Sequence, residues 1–358
     1  MMNTSQKLIA MLSGAALLSV SSLAAQTATT APVGYVTQTI KPGSFNLIGV
    51  NLSNPVVASG AFESADASSA TDAEGNFSTA LSSGDGYVLS LTSNNVGVNT
   101  GVSASSATTI TTGDDLSSFI TAGTTYEIRK LVTIADLFGA SNSAELAGAT
   151  AGNTSAADFL WIPDGAGGFT KIYYNGTSRA FPPLSVGWKS TLTGNADASA
   201  TSIYFTSGAY IQVQRAAFDA AEAGVDSGDL TSKELVFTGS VISQSSEVVA
   251  ETGFNTLNRI FPGDLTLGES LLETDLAQAA SGDTSAADIV WVPDGSGGYN
   301  KYYYNGTSRA FPPLSVGWKS TLTGNTDASA EVLTSAFFIE RKGSAIMVTM
   351  PLPSGVSL

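Results

Sequence analysis

The run TSAADFLWIPDGAGGFTKIYYNGTSRAFPPLSVGWKSTLTGNADASA, Thr154 to Ala200, returns as Thr284 to Ala330 with only eight positions changed. So close a repeat means that one structural unit occurs twice, since two copies filling the same packing sites accept mainly substitutions of similar size and character. Ile162 for Val292 and Phe169 for Tyr299 are of that kind. In each copy, apolar and aromatic runs flank a Gly-rich loop: Phe159-Leu160-Trp161-Ile162 and Phe169-Thr170-Lys171-Ile172-Tyr173-Tyr174 lie either side of Pro163-Asp164-Gly165-Ala166-Gly167-Gly168. That pattern predicts a hairpin, because glycine supplies the positive φ that tight hairpin loops require. A second turn is read at Asn175-Gly176. The Phe181-Pro182-Pro183 that follows places an edge or a connection before Gly187-Trp188, since proline has no N–H for a central ladder.

The copies extend beyond this core. Upstream, Arg129 to Leu137 parallels Leu257 to Leu265; downstream, Ile211 to Arg215 parallels Phe337 to Arg341. Each copy is then about a hundred residues, an ordinary domain size. Copy one also carries an insertion, Ala216 to Asp229, rich in Ala, Glu and Asp, before the strand-like Glu234 to Thr238. Between Thr27 and Thr125, Tyr35 to Ile40, Asn46 to Val50 and Tyr87 to Leu91 read as strands, and the small, acidic tract Ala58 to Glu74 as a mobile loop. The expected organisation is a signal peptide at 1–25, an N-terminal β region at 26–125, β repeat 1 at 126–250 and β repeat 2 at 251–358. The fold class is mainly β, with two tandem, sequence-related β-sandwich or barrel-like units.

Composition narrows the chemistry. Thirty acidic residues against fifteen basic ones leave a net charge of −15, which repels phosphate backbones and excludes nucleic acid as a partner. The chain has no cysteine and no histidine, so disulfides, thiolate metal sites and imidazole catalysis are excluded. Lys7, the apolar run Leu8 to Val20 and Ser22-Leu23-Ala24-Ala25 predict a secretory leader cut after Ala24 or Ala25. No later stretch reaches the length of a membrane helix, so no transmembrane span is expected. An outer-membrane barrel is disfavoured by the lack of long alternating strands and of a terminal aromatic. The expected location is periplasmic, cell-surface or extracellular.

Every tryptophan lies in the duplicated core: Trp161, Trp188, Trp291 and Trp318. Large aromatics on short strands are usually packing residues, and Trp161 and Trp291 read as core first. Trp188 and Trp318, beside glycine and lysine at a loop end, read equally as platforms for sugar rings, with Tyr174 and Tyr304 beside them. Tyr173 and Tyr303 accompany them. Asp164 and Asp294 in the Gly-rich loops offer carboxylates to Ca²⁺, although the spacing matches neither an EF-hand nor a calcium-binding nonapeptide, and a turn is the better reading. Asp158, Asp164 and Asp197, with Asp288, Asp294 and Asp327, are the carboxylates available to a glycosidase. A full set present twice argues for binding, which gains from repetition, and no catalytic residue is assigned. Asn153, Asn175 and Asn305 begin Asn-x-Ser/Thr sequons.

With these landmarks placed, the chain resembles a family of exported verrucomicrobial proteins of uncharacterised function. The resemblance rests on Val33-Gly34-Tyr35-Val36-Thr37, on Gly113-Asp114-Asp115-Leu116 followed by Ala122-Gly123 and Tyr126-Glu127-Ile128, and on two units ending in Gly-Trp and then a strand closed by Arg. It implies export and a structural repeat, and no catalytic residues. The function expected is that of a non-enzymatic cell-envelope or extracellular structural or adhesive protein, able to self-assemble or to contact polysaccharide or envelope components. The alternatives are a carbohydrate-binding protein using the repeated Trp/Tyr platforms and, third, a glycan-active enzyme.

Overall fold

Strand-forming runs separated by turn residues pair throughout the chain, and the protein is predominantly β. The computed structural model describes residues 32–94, 96–164, 168–204, 206–219, 229–242 and 244–353. The expected leader, the loop tip at 165–167 and residues 220–228 of the expected insertion lie outside the described residues.

Strands β1 (Val33–Ile40) and β2 (Phe45–Ile48) come first. A seven-stranded antiparallel sheet follows, built from β3 (Val56–Phe62), β4 (Ser64–Ala65), β5 (Ser69–Thr71), β6 (Tyr87–Leu91), β7 (Asn99–Ala104), β8 (Thr109–Thr112) and β9 (Thr124–Lys130), in the order β3-β9-β6-β7-β8-β5-β4. The tract expected as a mobile loop is therefore largely strand. Its small side chains are no obstacle, because β3 bonds to β9 through the backbone, Ala70 is fully buried, and the Tyr126 hydroxyl donates to Asp72 at 2.7 Å.

The first repeat supplies β10 (Val132–Thr133), β11 (Ala149–Thr150), β12 (Phe159–Pro163), β13 (Phe169–Thr177), β14 (Gly187–Ser190), β15 (Ala196–Asp197), β16 (Ser202–Ile203), β17 (Ala209–Gln212), the short pair β18 (Phe218–Asp219) and β19 (Asp229–Leu230), and β20 (Lys233–Ser240). The second supplies β21 (Ser246–Ala250), β22 (Gly253–Asn258), β23 (Ala279–Ala280), β24 (Ile289–Pro293), β25 (Tyr299–Thr307), β26 (Gly317–Ser320), β27 (Ala336–Arg341) and β28 (Ile346–Met350). The two sheets share one order, β14-β13-β12-β17-β2 and β26-β25-β24-β27-β22, with β11 and β23 running parallel to β13 and β25. Each repeat adds a two-stranded ribbon, β1–β20 or β21–β28.

This pairing corrects the expected boundaries at 125/126 and 250/251. β1 and β2 belong to the first repeat, because Ile40, Ile48 and Val50 pack in the same core as Leu160, Ile211 and Phe237. β21 belongs to the second repeat, whose core gathers Leu257, Val290, Trp318, Phe337, Ile339 and Val348. The seven-stranded sheet is thus inserted between the second and third strands of repeat one.

The expected alignment of Ile211–Arg215 with Phe337–Arg341 is two residues out of register. Trp161 faces Tyr210 across the ladder and Trp291 faces Phe338, so Tyr210 and Phe338 are the equivalent pair. The upstream alignment shifts as well: Thr133 and Thr266 each form a capping box at a short helical turn, and these are the matching positions.

Tyr210 and Phe338 also hold the halves together, stacking on each other at 5.9 Å. Nearby, Asn258 Nδ2 donates to the Val50 carbonyl at 2.6 Å and Asn51 Nδ2 to that of Arg259, so each repeat bonds the backbone of the other. Gly49 lies against this junction, where an added Cβ would stand 2.5 Å from the Ser335 carbonyl oxygen. Gly49→Ala is expected to destabilise the protein by about 1–3 kcal/mol, the usual range for overpacking. A chemical-denaturation midpoint equal to wild type would mean that the halves meet more loosely. Among the described residues no helix is long and apolar enough to cross a membrane.

Candidate functional site

From Tyr173 to Asn195 and from Tyr303 to Asn325 the two copies are identical in sequence. This segment runs along β13, over a loop, and back along β14, with Tyr174 opposite Trp188 and Asn175 opposite Gly187. Asn175 does not form the expected turn. It sits within β13, where β11 pairs with it, and the chain reverses after Thr177.

The Asn175 side chain is fully buried and organises the reversal. Its Oδ1 accepts from the Gly152 amide at 2.9 Å, and its Nδ2 donates to the carbonyls of Thr177 at 2.7 Å and Ser185 at 2.9 Å. Asn305 repeats all three bonds. Neither sequon asparagine is therefore accessible to a glycan in the folded protein. Gly152 has a φ of +81°, and a Cβ there would stand 2.7 Å from Leu184 Cδ2, so glycine meets both a backbone and a space requirement.

Above this brace the loop closes on itself. Arg179 and Leu184 exchange two backbone bonds of 2.9 Å, and Arg179 Nε donates to the Pro182 carbonyl at 3.1 Å. Lys189, almost fully buried, donates from Nζ to Ser185 Oγ at 2.8 Å. The tip Ala180-Phe181-Pro182-Pro183 stands clear of the sheet, and its prolines offer no N–H to prolong the ladder. The Phe181 side chain is 89% exposed, as is its copy Phe311. A large ring held in water on a braced loop, in duplicate, is the feature of this fold that folding itself does not use.

The residues singled out from sequence fall elsewhere. Trp188 and Trp318 are 1% and 2% exposed, which corrects their reading as platforms: a ring with no free face cannot stack a sugar. Tyr174 and Tyr304, half-buried, meet these indoles edge-on at 5.2 and 5.6 Å, so each expected pair is brought together, but inside. Trp188 Nε1 donates to the Gly139 carbonyl at 2.8 Å. Trp161 and Trp291, read as core, are the more open pair. They belong to the aromatic seam between the repeats, with Phe45 beside Trp161 and Phe254 beside Trp291, and Lys171 and Lys301 lying over their indoles.

The carboxylates are committed locally. Asp294 Oδ1 accepts from the amides of Ser296 at 2.6 Å and Gly298 at 3.0 Å, so that loop is a turn closed by its own aspartate, and Asp164 Oδ1 accepts from Gly168 at 2.9 Å. Among the described residues no three acidic side chains converge as metal ligands. Asp197 and Asp327 accept from Ser199 and Ser329, bonds that hold both carboxyls below the usual range. Asp158 and Asp288 are buried immediately before β12 and β24, each binding two backbone amides and facing Arg215 at 3.6 Å or Arg341 at 2.5 Å.

Burial pushes the Asp158 carboxyl above the ordinary aspartate value of 3.8, against the pull of the Ala147 and Gln214 amides and of Arg215. Just above that value the folded chain binds more protons than the unfolded one. The stability this group contributes is therefore present below the unfolded pKa and lost as pH rises through the folded one. Asp158→Ala is expected to remove this fall with pH; denaturation midpoints across the acidic range that keep the wild-type slope would assign the burial effect elsewhere.

Sequence reasoning passed over Phe181 and Phe311. The available signal was the unbroken identity of the copies across Ala-Phe-Pro-Pro, since a ring between alanine and two prolines has no strand to pack it. No protein-family model matches the chain, and no curated protein or solved structure is significantly similar to it.

Proposed function

We propose that this is a non-catalytic contact protein of the cell envelope or exterior, structural or adhesive in role, which grips its partner through two identical tips, Phe181 and Phe311. The observation that carries this reading is the pair of rings, each 89% exposed on a loop braced by a buried asparagine. Burying one phenylalanine in a partner is worth about 1.5–3 kcal/mol, and joining two such contacts in one folded unit raises avidity without new chemistry. The commitment of Asp158, Asp288, Asp164 and Asp294 to internal bonds favours binding over hydrolysis. Placement outside the cell rests on the leader pattern at Lys7, Leu8–Val20 and Ala24. We take each repeat to be a sandwich or barrel-like unit.

Carbohydrate binding is the second reading. With Trp188 and Trp318 inside, it would have to use the same phenylalanine tips, polysaccharide being then the partner. The test is co-sedimentation with isolated envelope sheets and with insoluble polysaccharide. Wild type is expected to pellet, and Phe181→Ser/Phe311→Ser to remain in the supernatant with an unchanged melting temperature. Equal pelleting of the double variant would end the tip assignment.

A further inference from the structure

A groove of about 470 Å³ lies where the inserted sheet, the first repeat and the second repeat meet. Its volume falls within the range of small-molecule sites. One wall is apolar: Phe119 comes from the insertion, and Val249 and Met347 face each other across the β21–β28 ladder, 51% and 44% exposed. Among the described residues every charged side chain lining the groove is a carboxylate, Asp114 and Asp115 from the insertion and Glu247 from β21. Asp114 Oδ2 accepts from Thr100 Oγ1 at 2.7 Å and Asp115 Oδ1 from the Ser117 amide at 2.9 Å, so both are held in place.

The groove therefore joins an apolar surface to a negative potential, with no lysine or arginine among the described residues of its lining to neutralise it. Burial, with the charge of Asp275 outside the lining, holds the Glu247 carboxyl above its usual range; burial first, and then the charge of Asp114, push the Tyr204 phenol up. The three carboxylates do not converge as ligands for one metal ion. A positive charge carried on an organic body meets both walls at once, and the Tyr204 ring in the lining adds a face that attracts ammonium groups. We propose that this groove binds a small organic cation, its ammonium head held among Asp114, Asp115 and Glu247 and its short apolar tail lying on Phe119, Val249 and Met347. This site is separate from the phenylalanine tips and stands or falls independently of them.

The test is isothermal titration of the intact protein with hexylammonium chloride and, in parallel, with hexanol. Hexylammonium is expected to bind saturably, at least about tenfold more tightly than hexanol, and to be released in molar salt. Asp114→Asn/Asp115→Asn/Glu247→Gln is expected to weaken it by about tenfold or more. Met347→Lys, a change at a half-exposed position, places an ammonium in the groove and is expected to abolish binding, so a result stands even if the triple variant does not fold. Absence of saturable binding to the wild type, equal affinity for hexanol, or unchanged affinity in a folded variant would overturn the proposal.

Discussion

Asn175→Leu is expected to lower stability by about 2–5 kcal/mol: three backbone groups lose their partner at about 1–3 kcal/mol for one that water does not reach, and the exposed Thr177 and Ser185 lie at the low end of that cost. The substitution keeps the volume and removes three bonds, leaving the Gly152 amide and the carbonyls of Thr177 and Ser185 without their partner. The side chain is 0% exposed, so water does not replace it without movement of the loop. Asn305→Leu should have the same effect in the second repeat, where the bonds recur within 0.1 Å. Equilibrium denaturation measures both. A loss below about 1 kcal/mol would mean that the loop is not braced from beneath, and that the exposure of Phe181 need not be fixed.

Asp288→Ala is the second large effect, expected to cost about 3–5 kcal/mol, as when one partner of a buried ion pair is removed. Its side chain is fully buried, Arg341 Nη1 donates to it at 2.5 Å, and the amides of Ala277 and Lys342 donate at 2.7 and 2.8 Å. Alanine removes the counter-charge of a guanidinium that is itself only 10% exposed and keeps, among the described residues, only its Nε bond to the Ser344 carbonyl at 2.8 Å. Asp158→Ala should cost less, because Arg215 stands off at 3.6 Å and is more open to water. Comparing the two variants in one denaturation series checks the ordering, and the reverse order would contradict the roles assigned to the two arginines.

The two arginines also explain where the sequence misled. Arg215 and Arg341 look like matching residues, yet they reach equivalent aspartates from opposite sides of the aligned position, so alignment by residue type slipped by two. The hairpins of the duplicated core were legible because local alternation and a Gly-rich turn suffice to specify them. The assignment of β1 and β2 to the first repeat was not, since it depends on pairing with β20 and β17 across a long insertion, and strand pairing at such separation leaves no local signal.

The candidate site divides the same way. That the duplicated core concentrates the aromatic residues was readable, but which of them face water was not. Gly187-Trp188 resembles a loop end, whereas Trp188 sits inside against Phe138 and Tyr174. Phe181 resembles an apolar residue in need of a core, whereas the prolines after it and the closure at Arg179 lift it away. Burial is settled by which face of the ladder a residue takes and by what closes over it, and both are tertiary facts.

Two equivalent tips are proposed to act together, and the rate of release from an envelope-coated surface for wild type, Phe181→Ser, Phe311→Ser and the double variant tests this. Each single variant is expected to dissociate faster than wild type by about 10²-fold or more and at the same rate as the other, with the double variant showing no stable binding. Release of either single variant at the wild-type rate would contradict the account, because the other tip alone would then carry the contact.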